Sequence, residues 1–279
     1  MSILKTKTAI EEVFMKLQAT REEGDYIKDG ILYCGKCHTP KQLKKIFLGT
    51  EKIFGCMCDC QAEEVCNQEE ADRKKRLVER IELNKANCYN DASLLENTFD
   101  KDDNSLPIIT NACKKYTEHF ETFLEDGRGL LFYGLVDGGK TFFANCILNA
   151  LLDQGYKCKG TSFPDLASKS FADFDKTEFY TSFNSYDLLL IDDMGTERRT
   201  DYMQEIIYGV IDTRYTAKLP MIITTNLSLE DIKNPEDISN KRIFSRILER
   251  CHPIEIQQTE HRLKNGRSEF IKTKDILGV

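Results

Sequence analysis

No apolar stretch in this chain of 279 residues approaches the 18 or more that a membrane-spanning helix needs, so no helical span is expected. The opening Met-Ser-Ile-Leu-Lys-Thr-Lys lacks the long apolar core of a signal peptide, and a cytosolic location is the expectation. Positive charge is not in excess either. With 39 basic against 46 acidic residues the net charge is -7, so any contact with DNA must come from a local basic patch. Internal repeats are missing as well. What is present, 41% hydrophobic and 30% charged residues, describes a globular protein, and the length permits a sizeable core and more than one domain.

Residues Gly134 to Thr141 read Gly-Leu-Val-Asp-Gly-Gly-Lys-Thr, a complete G-x-x-x-x-G-K-[ST] phosphate loop. The short run Gly129-Leu-Leu-Phe-Tyr133 before it reads as a buried strand. Phe142, Phe143, Cys146, Ile147, Ala150 and Leu151 after it recur at helical spacing. In that context the loop amides and the helix N-terminus face phosphates, Lys140 reaches the β/γ oxygens and the Thr141 hydroxyl helps to hold Mg2+. Gly134, Asp137, Gly138, Gly139, Lys140 and Thr141 are therefore candidate ATP-binding residues.

Tyr186-Asp-Leu-Leu-Leu-Ile-Asp-Asp193 is an apolar run ending in two carboxylates, as in a Walker B strand. A run buried on both faces suits a central parallel strand, and its C-terminal end is where open α/β sheets bind ligands. Asp192 is the candidate Mg2+ residue and Asp193 the group that orients or deprotonates the attacking water. A third strand, Leu219 to Asn226, ends in polar residues. Asn226 either faces the γ-phosphate and the water or caps the next turn.

Five of the eleven cysteines fall between residues 34 and 60. Cys34-Gly-Lys-Cys37 followed by Cys56-Met-Cys58-Asp-Cys60 has the spacing of a structural zinc site, and a reducing compartment favours ligands over disulfides. Only two of the last three thiols are needed. Cys56 and Cys58 are the expected pair, with Cys60 the competitor, and His38 is a spare ligand or a solvated residue.

Glu69 to Lys85 alternates five acids and six bases around Leu77, Val78 and Ile81, a solvated helix with one narrow apolar seam. Asn87 to Leu106 reads as an irregular connector, and the domain boundary is expected near residue 100, giving domains 1–100 and 101–279. Ile10, Val13, Phe14 and Leu17 form a helical stripe that docks a partner or closes over the cysteine module. From residue 108 onward helices and strands alternate, which implies a parallel sheet covered on both faces. Arg242, Arg246 and Arg250 repeat at i, i+4 on one predicted helix, either as an interface or as a solvated face balanced by Glu249.

These motifs, together with Leu-Leu-Leu-Ile-Asp-Asp-Met-Gly-Thr-Glu at 188–197, Ile-Thr-Thr-Asn at 223–226 and Lys-Arg-Ile-Phe-Ser-Arg-Ile-Leu-Glu-Arg at 241–250, resemble the DnaC/DnaI-type helicase loaders and the related IstB-type ATPases of the AAA+ superfamily. The resemblance covers nearly the whole chain. It implies an AAA+ P-loop core preceded by a small zinc-binding helical domain that grips a replicative helicase. It also implies loading of that helicase onto single-stranded DNA, ATP-dependent self-assembly, and the cofactors ATP, Mg2+ and Zn2+. By the same resemblance Asn226 is sensor 1, Arg246 the arginine finger that acts on a neighbour's ATP, and Arg262 sensor 2. A transposition helper of the IstB type and a nucleotide-sensing helicase adaptor with little hydrolysis are the alternatives. One departure stands out: loaders carry Gly at the fourth loop position, where this chain has Asp137, a negative charge near the phosphates in a place that any required positive φ would strain.

Overall fold

The computed structural model describes residues 20–47, 49–162, 164–166, 168, 176–195, 201–256 and 277. The N-terminal stripe and Arg262 lie outside these residues, as do Thr196 and Glu197. The chain divides into two compact units, Met1–Leu77 and Val78–Val279.

In the smaller unit, β1 (Tyr26–Lys28) and β2 (Ile31–Tyr33) form one antiparallel hairpin, and β3 (Gln42–Phe47) and β4 (Thr50–Gly55) form another. The first hairpin turns at Asp29-Gly30, both with positive φ, the left-handed pair that matches the twist of its strands. Where a helical module was expected, the described residues before Cys56 are thus mainly hairpins. A buried ion pair ties them together. The Lys41 ammonium lies 2.8 Å from Asp25 Oδ2, while Asp25 Oδ1 accepts from the Gly35 N–H at the Cys34–Cys37 turn. That ammonium holds the Asp25 carboxyl down at about 2.

Helix α1 (Asp59–Cys88) follows, longer at both ends than its charged middle suggested. Its seam is only partly used: Leu77 and Val78 are exposed, and burial is confined to Asn84 and Cys88 near the C-terminal end. The segment 89–101 is not a free connector. It forms two 3₁₀ turns, Ala92–Glu96 and Phe99–Lys101, and Tyr89, Leu94, Leu95 and Phe99 pack into the core. Those contacts are why the larger unit begins at Val78 rather than near residue 100.

The remaining elements of that unit are α2 (Pro107–Glu118), α3 (Phe120–Asp126), β5 (Gly129–Tyr133), α4 (Lys140–Asp153), β6 (Cys158–Ser162), α5 (Lys176–Ser182), β7 (Leu188–Met194), α6 (Asp201–Thr216), β8 (Met221–Thr225), α7 (Leu229–Lys233), α8 (Ile238–Arg250) and β9 (Cys251–Glu255). The first helical stretch of the alternation expected from residue 108 onward is broken at His119 into α2 and α3. The five strands are parallel, in the order β6-β7-β8-β5-β9.

Period-two alternation divides their side chains between two cores. Leu131, Leu189, Ile191 and Ile223 face α6 and α8 through Ile206, Val210, Ile211, Ile243 and Ile247. Leu130, Phe132, Leu188, Leu190 and Ile222 face α4 through Phe143, Ile147, Leu148 and Leu151. A sheet covered on both faces explains why its strands read as continuous apolar runs. Arg214, fully buried on α6, closes the N-terminal edge of the sheet by donating to the carbonyls of Phe183, Tyr186, Asp187 and Pro220.

Candidate functional site

The strand order puts β8 between β5, which carries the phosphate loop, and β7, which carries the carboxylates, so three strand ends meet at one edge. The loop leaves β5 at Gly134 and enters α4 at Lys140. Gly134 has φ 131°, and a β-carbon there would lie 2.3 Å from the Ile256 carbonyl oxygen, so only glycine fits. Asp137 has φ 67°, so the left-handed conformation anticipated at that loop position is in fact adopted. Aspartate is among the few non-glycine residues that tolerate it.

Lys140 is buried, and its ammonium donates to the Gly134 and Leu135 carbonyls at 3.0 and 2.7 Å, which folds it over the loop. The Thr141 hydroxyl lies 3.0 Å from Asp192 Oδ1 and 3.2 Å from Oδ2, joining two residues 51 positions apart. A hydroxyl at the helix start and a carboxylate beside it are hard oxygen donors that fit Mg2+ with its retained waters.

Thr224, within the polar end of the third strand but assigned no role from sequence, organises the carboxylates. Its hydroxyl donates to Asp192 Oδ1 at 2.6 Å and accepts from the Asp193 N–H at 2.9 Å. The available signal was a pair of threonines closing an otherwise apolar strand. The β7–β8 register slips between Ile191 and Met194, and Asp193 takes φ 56°. This bulge re-aims the two acids, leaving Asp192 turned toward Thr141 and Asp193 exposed. Burial pushes the Asp192 carboxyl above its ordinary range, with the Asp193 charge adding to the shift and the Thr224 and Thr141 hydroxyls opposing it.

Asn226 follows β8 directly and borders a cavity of about 740 Å³ shared with Gly134, Leu135, Lys233, Glu255 and Ile256. The turn after it is capped by Ser228, whose side chain and that of Asp231 form a reciprocal box, so Asn226 is not that helix's cap. Arg246 projects from α8 onto α6: its Nε lies 2.7 Å from Asp212 Oδ1, and its guanidinium donates to the Tyr208 hydroxyl at 2.9 Å and lies over the Tyr208 ring. Arg250 lies over Tyr215. Arg246 and Arg250 are therefore half-buried against aromatic and acidic partners of the same chain, whereas Arg242 is exposed.

In the smaller unit the sulfurs of Cys34, Cys37, Cys58 and Cys60 all lie within 4.8 Å of one another, with Cys34 and Cys58 each 3.4 Å from Cys60. Four thiols at that separation match the donor set of a tetrahedral zinc site. Cys60 takes the place expected for Cys56. Cys56 continues the β4 strand, its N–H is bonded to the Lys41 carbonyl, and its sulfur faces the Pro40 carbonyl at 3.3 Å, whereas the first turn of α1 swings Cys60 back toward Cys34. His38 stays outside the group and packs on Tyr26. The Thr39 hydroxyl and backbone N–H groups bring the Cys37 thiol down to about 5, which favours the thiolate a metal binds.

Over residues 57–269 the chain matches the IstB-like ATP binding protein family. It is 26% identical over 189 residues to the replicative helicase loader DnaI of Bacillus subtilis, covering 62% of this chain and 61% of that relative, so it spans less than two thirds of the DnaI length. It is 25% identical over 219 residues to the replicative helicase loader DnaC of Buchnera aphidicola, covering 75% of this chain and 84% of that relative. A crystal structure of DnaI aligns with a TM-score of 0.51 at 20% identity, over 61% of this chain and 96% of that chain, a likeness of fold. No helix among the described residues is long and apolar enough to cross a membrane. With a family match over most of its length and a parallel sheet that joins phosphate loop to Walker B carboxylates, the chain belongs to the IstB-like ATP binding protein family, as a DnaC/IstB-like member of the AAA+ superfamily.

Proposed function

We propose that this protein is an ATPase that loads a replicative helicase onto single-stranded DNA. The observation that carries the ATPase part is the Thr141–Asp192 contact, which joins the phosphate loop to the carboxylate strand where a Mg2+-nucleotide belongs. Lys140 swings from the Gly134 and Leu135 carbonyls to the β/γ-phosphates, a short movement because those carbonyls line the same loop. Thr141 and Asp192 are the residues that would hold Mg2+, which would supply charge neutralisation on the phosphates. Asp193, exposed at the bulge, orients the attacking water, and Asn226 at the neighbouring strand end contacts the γ-phosphate or that water. A cavity bordered by Gly134, Leu135 and Asn226 adjoins the first residues of the loop.

Arg246 acts in trans, so turnover follows self-assembly, and leaving Asp212 and Tyr208 is part of that step. Arg262 is the sensor-2 residue. The helicase-loading part rests on likeness to DnaI and DnaC and on the surface of the cysteine unit. There Ile27, Ile46 and Ile53 are each more than half exposed, an apolar display suited to a protein partner. Zinc held by the four thiols keeps that unit folded.

The test is capture of a purified replicative helicase by the full chain, followed by ATP turnover with and without single-stranded DNA. The expected result is helicase binding that depends on the four cysteines and turnover that rises with DNA. A chain that binds Mg2+-ATP but captures no helicase would refute the loader reading and leave an IstB-type helper, for which duplex DNA and a transposase are the partners to assay.

A further inference from the structure

One polar side chain beside the Mg2+ residues has no part in the reading above. Asn145 lies on α4 one turn after Thr141, on the same helix face, and is only 1% exposed. Neither its amide oxygen nor its amide nitrogen has a hydrogen-bond partner among the described residues. The next turn shows the contrast. Asn149 is equally buried, but it donates to the Leu94 and Asn97 carbonyls and accepts from the Tyr89 hydroxyl, so it pins the 3₁₀ segment and is fully used. A buried amide with nothing to bond is strongly disfavoured, so Asn145 calls for a polar group that the protein's own atoms do not supply.

The space it faces is suited to water. Asn145 borders a chamber of about 110 Å³ whose walls include Tyr89, Thr161, Leu190 and Asp192. That space is well above the roughly 10–15 Å³ that one water needs on the same measure. Across it, Asp192 Oδ1 accepts from both Thr224 and Thr141, whereas Oδ2 accepts from Thr141 at the longer 3.2 Å, and a carboxylate oxygen has a second lone pair to offer. An amide supplies both donors and an acceptor, so a water between it and a carboxylate is satisfied at each end.

We propose that Asn145 is a positioning residue for the Mg2+ carboxylate, holding Asp192 from behind through ordered water in this chamber. The proposal rests on the reading of Asp192 as a Mg2+ residue. It assigns Asn145 no contact with nucleotide: Thr141 and Thr224 fix one side of the carboxylate and the hydrated amide fixes the other, so that Asp192 would be presented to a cation in one orientation.

The experiment titrates Mg2+ into the full-length chain with a fluorescent ATP analogue, reading nucleotide affinity as Mg2+ rises, and records thermal melting in parallel. Asn145→Leu keeps the branched outline of the side chain, with some added bulk, and removes the hydrogen bonds. It is expected to raise the Mg2+ concentration for half-maximal tightening on the order of tenfold, the scale seen when a group supporting a metal ligand is lost, while metal-free nucleotide affinity stays at the wild-type value. Asn145→Ser, which keeps a donor and an acceptor and leaves room for one more water, is expected to recover most of the loss. Should Asn145→Leu fail to fold, Asn145→Ala removes the amide without apolar bulk and carries the same expectation. A wild-type Mg2+ midpoint in these variants, together with a higher melting temperature for Asn145→Leu, would mean a dry chamber and overturn the proposal alone. A wild-type chain whose nucleotide affinity is indifferent to Mg2+ would overturn the ATPase reading and this inference with it.

Discussion

Replacing Asp137 separates two contributions that coincide at one loop position. The residue sits at φ 67°, where a β-carbon costs about 1–2 kcal/mol for most residues and less for aspartate. Glycine relieves that strain but is more flexible when unfolded, a cost of roughly 0.5–1 kcal/mol, so Asp137→Gly should leave stability nearly unchanged. Its carboxylate is a different matter. A negative charge within about 6 Å of a phosphate oxygen costs roughly 0.7 kcal/mol at the dielectric of water and about 2.8 kcal/mol at an effective value of 20. Asp137 is half-exposed, which places the effect toward the lower part of that range. The expectation is ATP binding tightened by about threefold to tenfold, up to about 1.4 kcal/mol. Asp137→Asn decides the cause, because asparagine also tolerates a left-handed backbone but carries no charge. Titration calorimetry at matched Mg2+ should show both variants tightening alike, with the gain shrinking as ionic strength rises. Tightening in the glycine variant alone would assign the effect to backbone freedom, and equal affinities in all three proteins would refute the charge argument.

Purified protein prepared without chelator should carry about one zinc per chain by elemental analysis. Cys60→Ser should release it and Cys56→Ser should not, since only the former thiol lies in the four-sulfur group; the opposite outcome would reverse the assignment. Arg246→Ala should bind ATP with near-normal affinity but lose turnover, and mixing it with Lys140→Ala chains should restore part of the activity; normal hydrolysis by Arg246→Ala alone would remove the finger. Arg214→Met should destabilise the larger unit by about 3–5 kcal/mol in urea unfolding, because four carbonyls lose their donor at once. A cost below about 1 kcal/mol would show that water replaces the guanidinium.

Local patterns carried much of this protein. Gly129–Tyr133 and Lys140–Asp153 are the strand and helix that apolar period and length indicate, because a strand buried on both faces and a helix packed on a sheet each write their environment into adjacent residues. The phosphate loop was legible for the same reason: its geometry is made by consecutive residues, and Gly134 and Asp137 adopt the backbone that the loop requires.

Sequence alone could not choose among Cys56, Cys58 and Cys60, since spacing admits several pairs and only the exit of β4 into α1 decides which sulfurs turn inward. Thr224 and Asn145 were equally hidden. Each is an ordinary polar residue in an apolar element, and its significance arises when β8 is laid between β5 and β7 and α4 is packed across them. The segment after α1 looked like a linker because its polar residues outnumber its apolar ones, yet Tyr89, Leu94, Leu95 and Phe99 find a core and Asn149 binds its carbonyls. Spacing along the chain thus determined which chemistry is present, while the order of strands and the burial it imposes decided which groups meet, because contacts between distant residues depend on packing that no local window contains.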